Sequence, residues 1–220
     1  MQDELKDKIL NSGTSILGIV CKDGVVMAAD RQVTAGNLVV SKNFKKVNQI
    51  NDYIVISWTG GVADAQLSSK VLTAELKLKE LRSKQRPTVK DTANLVATMT
   101  YRNIRQFASI PSIVGTIIAG VNEDGTAELF SIEPAGSVVK VEDYDANFGS
   151  GMPYILGFME RQYKKDLTVK EGIQLAIEAL KSSTQRDTGS GYGIDIFALT
   201  KEGIKQVVEQ TIEPSFKEDK

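Results

Sequence analysis

The stretch Gly13-Thr14-Ser15-Ile16-Leu17-Gly18-Ile19-Val20-Cys21-Lys22-Asp23-Gly24-Val25-Val26-Met27-Ala28-Ala29-Asp30-Arg31 decides the fold. Two β-rich apolar runs flank Lys22-Asp23-Gly24. Asp-Gly between such runs is a strong hairpin signal, because glycine accepts φ > 0 at no steric cost. One strand is expected near residues 15–21 and its return near 25–30. Thr14 then opens the first strand and Asp30 closes the second. Lys46 follows after a short excursion. A hydroxyl, a carboxylate and an amine are thereby expected at one end of a buried sheet.

The chain contains no histidine. A Ser-His-Asp triad, a Cys-His pair and the usual His-bearing zinc site are therefore excluded. A hydrolase built on this sequence needs another base: a lysine, a carboxylate or an α-amine. Cleavage between Gly13 and Thr14 would place a new α-amine beside the Thr14 hydroxyl. Such an amine has an unperturbed pKa of roughly 7.7–8.0, close to working pH, and a threonine paired with its own N-terminal amine is a known nucleophile arrangement. Taken singly, Thr14, Asp30 and Lys46 read as an ordinary strand residue, a strand end and a surface charge. The Gly-Thr junction ahead of them shifts that balance.

The remaining composition narrows the class. With 220 residues, 41% apolar and 25% charged, the chain has ample material for one large globular domain. A net charge of −1 gives no reason to expect nucleic acid as a partner. No apolar run approaches the roughly 18 residues needed to cross a bilayer, so no membrane association is expected. Residues 1–8 mix both signs of charge without an apolar segment, unlike a secretory signal, so a cytoplasmic location is expected. The single cysteine, Cys21, lies in an apolar strand and reads as a buried structural thiol. No metal or organic cofactor is indicated.

Along the chain, residues 1–13 are polar, poorly patterned and read as a removable leader, with a single domain over 14–220. Short strands are expected near 38–40 and 47–50, and a buried one over 53–58. Thr59-Gly60-Gly61 leads into a long helix whose Ala63, Leu67, Val71, Ala74, Leu78 and Leu81 recur at spacings of three and four. That stripe is expected to face the core. Gly60-Gly61 at a strand-to-helix junction offers unobstructed N–H groups to an oxyanion. Thr88 is expected to cap a second helix running to about Phe107. Strands over 113–121, 126–132 and 138–141 follow, then a helix over 154–163. Thr168 with Glu171 has capping-box spacing and opens a further helix with Val169, Ile173, Ala176, Ile177 and Leu180 as its apolar stripe. Two strands over 195–199 and 204–209 close the domain, and a charged tail begins at about 212. Strands, two helices, strands, two helices, strands: this segregation argues an α+β fold. The expected architecture is a four-layer α-β-β-α sandwich of two antiparallel sheets.

Several separated motifs then carry a resemblance. They are Gly13-Thr14, Gly24 to Arg31, Gly36-Asn37, Lys45-Lys46, Gly60 to Gln66, Gly149-Ser150-Gly151, Arg186 to Gly191, and Gly193-Ile194-Asp195. In order and spacing the chain resembles the β-type subunits of the archaeal 20S proteasome, which are N-terminal nucleophile hydrolases, from Gly13 to about Gln210. The resemblance implies a threonine endopeptidase made active by autocatalytic removal of residues 1–13. It implies Thr14 as nucleophile, Asp30 and Lys46 as the buried acid and lysine beside it, and Gly60 as the oxyanion-hole residue. Ser150, Asp187 and Ser190 would support the new N-terminus. Val33, Thr34 and Val62 would line the substrate channel, and Trp58, bulkier than the family tends to carry there, would narrow the specificity pocket. The implied partners are α-type and other β-type subunits in stacked seven-membered rings, a regulatory ATPase ring and unfolded protein substrates. Two other readings compete: a silent ring subunit that keeps its leader, and a relative such as the bacterial two-component ATP-dependent protease or a small-amide hydrolase. An α-type subunit is disfavoured, because its characteristic N-terminal helix is missing.

Overall fold

A computed structural model of the chain describes residues 11–212. Most of the expected leader, and the tail from residue 213, lie outside the described residues. The first described element is a two-residue strand, β1 (Asn11–Ser12), followed by β2 (Ile16–Cys21) and β3 (Gly24–Asp30). Cys21 pairs with Gly24, so the hairpin loop is the two residues Lys22 and Asp23. Gly24 is needed for a close approach rather than for its own turn angles: a Cβ there would sit 2.2 Å from the Leu199 carbonyl oxygen.

The chain continues through β4 (Val33–Ala35), β5 (Leu38–Ser41), β6 (Val47–Asn51) and β7 (Ile54–Gly61) into α1 (Val62–Ser83) and α2 (Val89–Ile104). Then come β8 (Val114–Val121), β9 (Ala127–Ile132), β10 (Val138–Val141) and β11 (Tyr144–Asp145). Helices α3 (Met152–Gln162) and α4 (Val169–Thr184) precede the final hairpin of β12 (Gly193–Thr200) and β13 (Gly203–Thr211). One sheet runs β11-β2-β3-β12-β13. The other runs β10-β9-β8-β7-β1-β4-β5, with β6 also paired to β7. The pairings β2–β3, β3–β12, β7–β8 and β8–β9 are antiparallel.

Side-chain alternation along the strands sorts three apolar layers. Val25, Met27 and Ala29 of β3 meet Val55, Ile117, Ala119 and Leu129 between the two sheets. Val26 and Ala28 point the other way, onto Ile155 and Met159 of α3 and Ala176 and Leu180 of α4. Ile54, Ile56 and Trp58 of β7 turn outward onto Leu72 and Leu76 of α1 and Ala93 and Val96 of α2. The result is the expected α-β-β-α sandwich. Both expected caps are present as reciprocal capping boxes, Thr88 with Asp91 on α2 and Thr168 with Glu171 on α4.

Helix α1 departs from expectation. The stripe meant for the core faces outward: Leu67 is 62% exposed and Leu81 63%. The side chains turned inward are Val62, Ser68, Leu72 and Leu76. The helix carries two apolar stripes, and the sheet takes the shorter one. Helix α2 ends at Ile104, three residues before Phe107. The segments β1, β4 and β11 were not expected as strands; each is two or three residues long, too short for a period-2 pattern to register.

Candidate active site

The end of β3 brings Asp30 to a position with no solvent exposure. Its Oδ1 accepts from Lys46 Nζ at 2.6 Å and from the Ser15 N–H at 2.9 Å. Its Oδ2 accepts from the N–H groups of Gln32 and Gly191 at 2.9 and 3.0 Å. Four donors on one carboxylate hold it at a fixed angle to Lys46. The Lys46 side chain is as deeply buried. Burial lowers the Lys46 ammonium below the usual lysine range and raises the Asp30 carboxyl, while the contact between them opposes both shifts. Lys46 is therefore closer to giving up its proton than a surface lysine. The Ser57 hydroxyl donates to the Lys46 carbonyl at 3.0 Å and fixes the backbone from β7.

The second bond made by Lys46 Nζ is to the Gly13 carbonyl oxygen, at 2.6 Å. That carbonyl belongs to the Gly13–Thr14 peptide bond. The same junction is crowded from the other side: a Cβ on Gly13 would lie 2.5 Å from Gly189 Cα, so only glycine brings the bond this close. Thr14 is buried. Its N–H donates to Ser150 Oγ at 2.9 Å, and its carbonyl accepts from the Gly151 N–H at 3.1 Å. Ser150 Oγ in turn donates to Asp187 Oδ2 at 2.6 Å, and Ser190 Oγ donates to the same oxygen at 2.5 Å.

Gly60 lies at the end of β7 with φ +98°, a conformation that side chains rarely adopt. A Cβ there would stand 2.1 Å from the Ile113 carbonyl oxygen, so the position is closed to other residues twice over. Strand β1 runs between this point and β4. Ser12 pairs with Gly60, Asn11 pairs with Gly61, and on the opposite edge Asn11 pairs with Thr34. Residues 11 and 12 thus lie as an added strand between β4 and β7. Val33 is buried beside Thr34. Trp58, Val62, Gly60 and Lys46 share the lining of a cavity of ≈ 40 Å³. Trp58 is packed in the outer core against α1 and α2 and is 5% exposed, so it is both a core residue and part of the cavity lining.

Hydrogen bonds running through Gly13 and Ser15 therefore join Thr14, Asp30, Lys46, Ser150, Asp187 and Ser190, and Lys46 shares a cavity lining with Trp58, Gly60 and Val62. A family profile described as proteasome subunit matches residues 10–199. The chain belongs to the proteasome subunit family. It is 41% identical over 194 residues to the proteasome subunit beta of Nanoarchaeum equitans, covering 88% of this chain and 96% of that one. It is 37% identical over 205 residues to that of Methanopyrus kandleri, covering 93% and 95%. The proteasome subunit beta of Ferroglobus placidus is also 37% identical, over 209 residues, with 95% and 96% covered. The relatives agree with reading the chain as a proteasome β-type subunit.

The structure adds residues that sequence reading did not single out. Ser15 Oγ lies 2.8 Å from Ser190 Oγ and 2.7 Å from Ser183 Oγ, so the hydroxyl cluster extends from Asp187 into α4. Ser15 and Ser183 are fully buried. Ser15 stands at the head of an apolar run, whereas Ser183 lies among Lys181, Ser182, Thr184 and Gln185 and carries no signal in the sequence. Among the described residues, no group of three or more histidine, cysteine or acidic side chains is arranged to hold a metal ion, and no helix is long and apolar enough to cross a membrane.

Proposed function

We propose that the chain is a threonine-type endopeptidase subunit of a proteasome core particle, made active by cleavage of its own Gly13–Thr14 bond. The observation that carries this reading is Lys46 Nζ, which stands 2.6 Å from both the Asp30 carboxylate and the Gly13 carbonyl oxygen. In self-cleavage the Thr14 hydroxyl oxygen bonds to the Gly13 carbonyl carbon. Lys46 supports the negative charge that develops on the carbonyl oxygen. The C–N bond then breaks, the Thr14 nitrogen takes up the hydroxyl proton, and water hydrolyses the resulting ester. The freed amine inherits Ser150 as its neighbour, with Asp187 and Ser190 behind it, and becomes the base for the next hydroxyl attack.

Substrates then take the place of the leader. Strand β1, paired on both edges, is the template for an extended peptide lying between Thr34 and Gly60. Main-chain pairing carries no side-chain information, which suits unfolded proteins as substrates. The small cavity at Trp58 and Val62 receives the side chain before the cut. The exposed apolar residues of α1, together with Phe107 (fully exposed) and Ile110, suit a chain that works in stacked seven-membered rings with α-type and other β-type subunits. A regulatory ATPase ring acting through the α ring, and a cytoplasmic location, complete the reading.

The test is Thr14→Ala. We expect a folded protein with unchanged melting temperature that keeps its leader by mass spectrometry and hydrolyses no fluorogenic peptide. A variant that still removes residues 1–13 and cleaves peptides near the wild-type rate would show another nucleophile at work.

A further inference from the structure

Arg31 follows Asp30 in sequence and is buried to 2% exposure, yet its side-chain hydrogen bonds among the described residues go to Asn43, Asp195 and Glu209. We propose that Arg31 and Asp195 form a buried clamp that sets the position of Lys46 by holding residues 43–45. Both act as positioning residues. The proposal rests on the threonine–lysine reading of the preceding section.

The clamp is read from its contacts. Arg31 Nε donates to Asp195 Oδ2 at 2.9 Å, and Nη2 donates to Asp195 Oδ1 at 2.5 Å. Asp195 is 1% exposed and is held from β13 by Gln206 Nε2 at 2.8 Å. With its plane fixed by that two-point bond, the guanidinium has donors left in defined directions. Nη1 donates to Asn43 Oδ1 at 2.8 Å. Nη2 also donates to Glu209 Oε1 at 3.1 Å, and the same oxygen pairs with Lys45 Nζ at 3.0 Å. The Arg31 carbonyl accepts from the Phe44 N–H at 3.0 Å. Immediately before Lys46, residue 43 is thus tied to the guanidinium, residue 45 to its partner Glu209, and residue 44 to the Arg31 main chain.

Burying an ion pair is a poor route to stability, since a hydrophobic pair of equal volume commonly does as well. What a hydrophobic pair does not supply is direction. Lys46 needs direction: its ammonium sits on a flexible four-carbon stem and must meet two oxygens, each at 2.6 Å. A displacement of about 1 Å at a reacting group costs on the order of a hundredfold in rate. Arg31 ties the approach to Lys46 to the same backbone that presents Asp30, so the acid and the lysine are located by one framework.

The experiment uses the processed protein in its native assembly. Glu209 has a half-exposed side chain and Asn43 is exposed, so the double variant Glu209→Ala/Asn43→Ala keeps the core intact. We expect kcat to fall about tenfold or more, with KM and melting temperature unchanged, and Glu209→Gln, which keeps the acceptor oxygen, to recover most of the loss. Arg31→Lys retains the charge but loses the fork, and should lower kcat further. An unchanged kcat in both the double variant and Arg31→Lys overturns the clamp, as does a loss that appears only in KM or only in step with melting temperature. Lys46→Ala is the control that separates the two levels. If it remains active, the threonine–lysine reading fails. If it is inactive while the clamp variants are unimpaired, only the clamp fails.

Discussion

The β2–β3 hairpin has two ends that solve opposite problems with the same residue types. At the turn end, Asp23 is exposed and its carboxylate accepts from the Val169 N–H at 2.7 Å, locking the hairpin onto the start of α4. Glu171 and Thr168 complete that helix start in solvent. At the other end, Thr14, Ser15, Asp30, Arg31, Lys46 and Asp195 are all buried; Asp30 bonds to Ser15 and Lys46, Thr14 to Ser150, and Arg31 to Asp195. Arg31 and Asp195 are 164 residues apart. Polar groups in water contribute little and lose little when cut. Polar groups withdrawn from water are costly unless paired, so each depends on its partner. The polar end of the sandwich is where the proposed chemistry would sit; the turn end holds shape.

The sharpest way to break this contrast is to remove one member of the buried pair. Lys46→Ala leaves the Asp30 carboxylate without its cation. Asp30→Asn removes the attraction that opposes burial at Lys46, so the ammonium loses its proton at still lower pH. Each change is expected to lower peptide hydrolysis by orders of magnitude and to destabilise the fold by about 3–5 kcal/mol, the usual consequence of orphaning a buried charge. The double variant should be little worse than either alone, because the two act as a unit. A full double-mutant cycle in both kcat and unfolding free energy checks this. Mild, additive losses would make the pair an ordinary ion pair.

Trp58 sharpens the contrast from the apolar side. It is a core residue on one face and a wall of the site cavity on another. Trp58→Ala should cost about 3–5 kcal/mol of stability, as truncation of a large buried aromatic does. It should also enlarge the ≈ 40 Å³ cavity and admit Leu, Tyr or Phe before the cut, where the parent is expected to favour small side chains. The gain in discrimination from one filled pocket is roughly tenfold or more. A panel of fluorogenic peptides with varied residues before the cut, measured alongside calorimetry, separates the two effects. An unchanged preference with a large drop in melting temperature would leave Trp58 a purely structural residue.

How much of this was legible follows from the range of the forces involved. The hairpin at Lys22-Asp23-Gly24, the capping boxes at Thr88 and Thr168, and the layer order were readable, because each is written in residues a few positions apart. The convergence of Thr14, Asp30 and Lys46 was readable because the hairpin places two of them, and the absence of histidine narrows the bases available. The face of α1 was not. Periodicity reports a stripe, and here Leu67 and Leu81 on one side compete with Leu72 and Leu76 on the other. Only the neighbouring sheet decides between them. The strand β1 is invisible for the same reason: two residues of a polar, poorly patterned stretch become a strand by pairing with β4 and β7. Ser15, Ser183 and the Arg31–Asp195 pair are meetings of distant segments, and no local pattern announces them.

The smallest expected effect lies at the turn end, and it tests the contrast from the weak side. Glu171 accepts from the Thr168 N–H at 2.8 Å and lies 2.6 Å from the Thr168 hydroxyl. These bonds hold its carboxyl below the usual glutamate range, the hydroxyl contributing most. A carboxyl whose pKa is depressed on folding adds stability above its unfolded value, and that stability is lost as pH falls through the folded value. Glu171→Ala should therefore lower the melting temperature slightly near neutral pH. Its difference from the parent should close as the pH drops below about 4.5, the ordinary glutamate value. Because the group is exposed, added salt should shrink the difference further, while Lys46→Ala, cut from a buried pair, should respond far less to salt. Calorimetric scans of both variants over a series of acid pH values and two ionic strengths decide it. A Glu171 effect as large and as salt-insensitive as that of Lys46 would erase the distinction between the two ends of the hairpin.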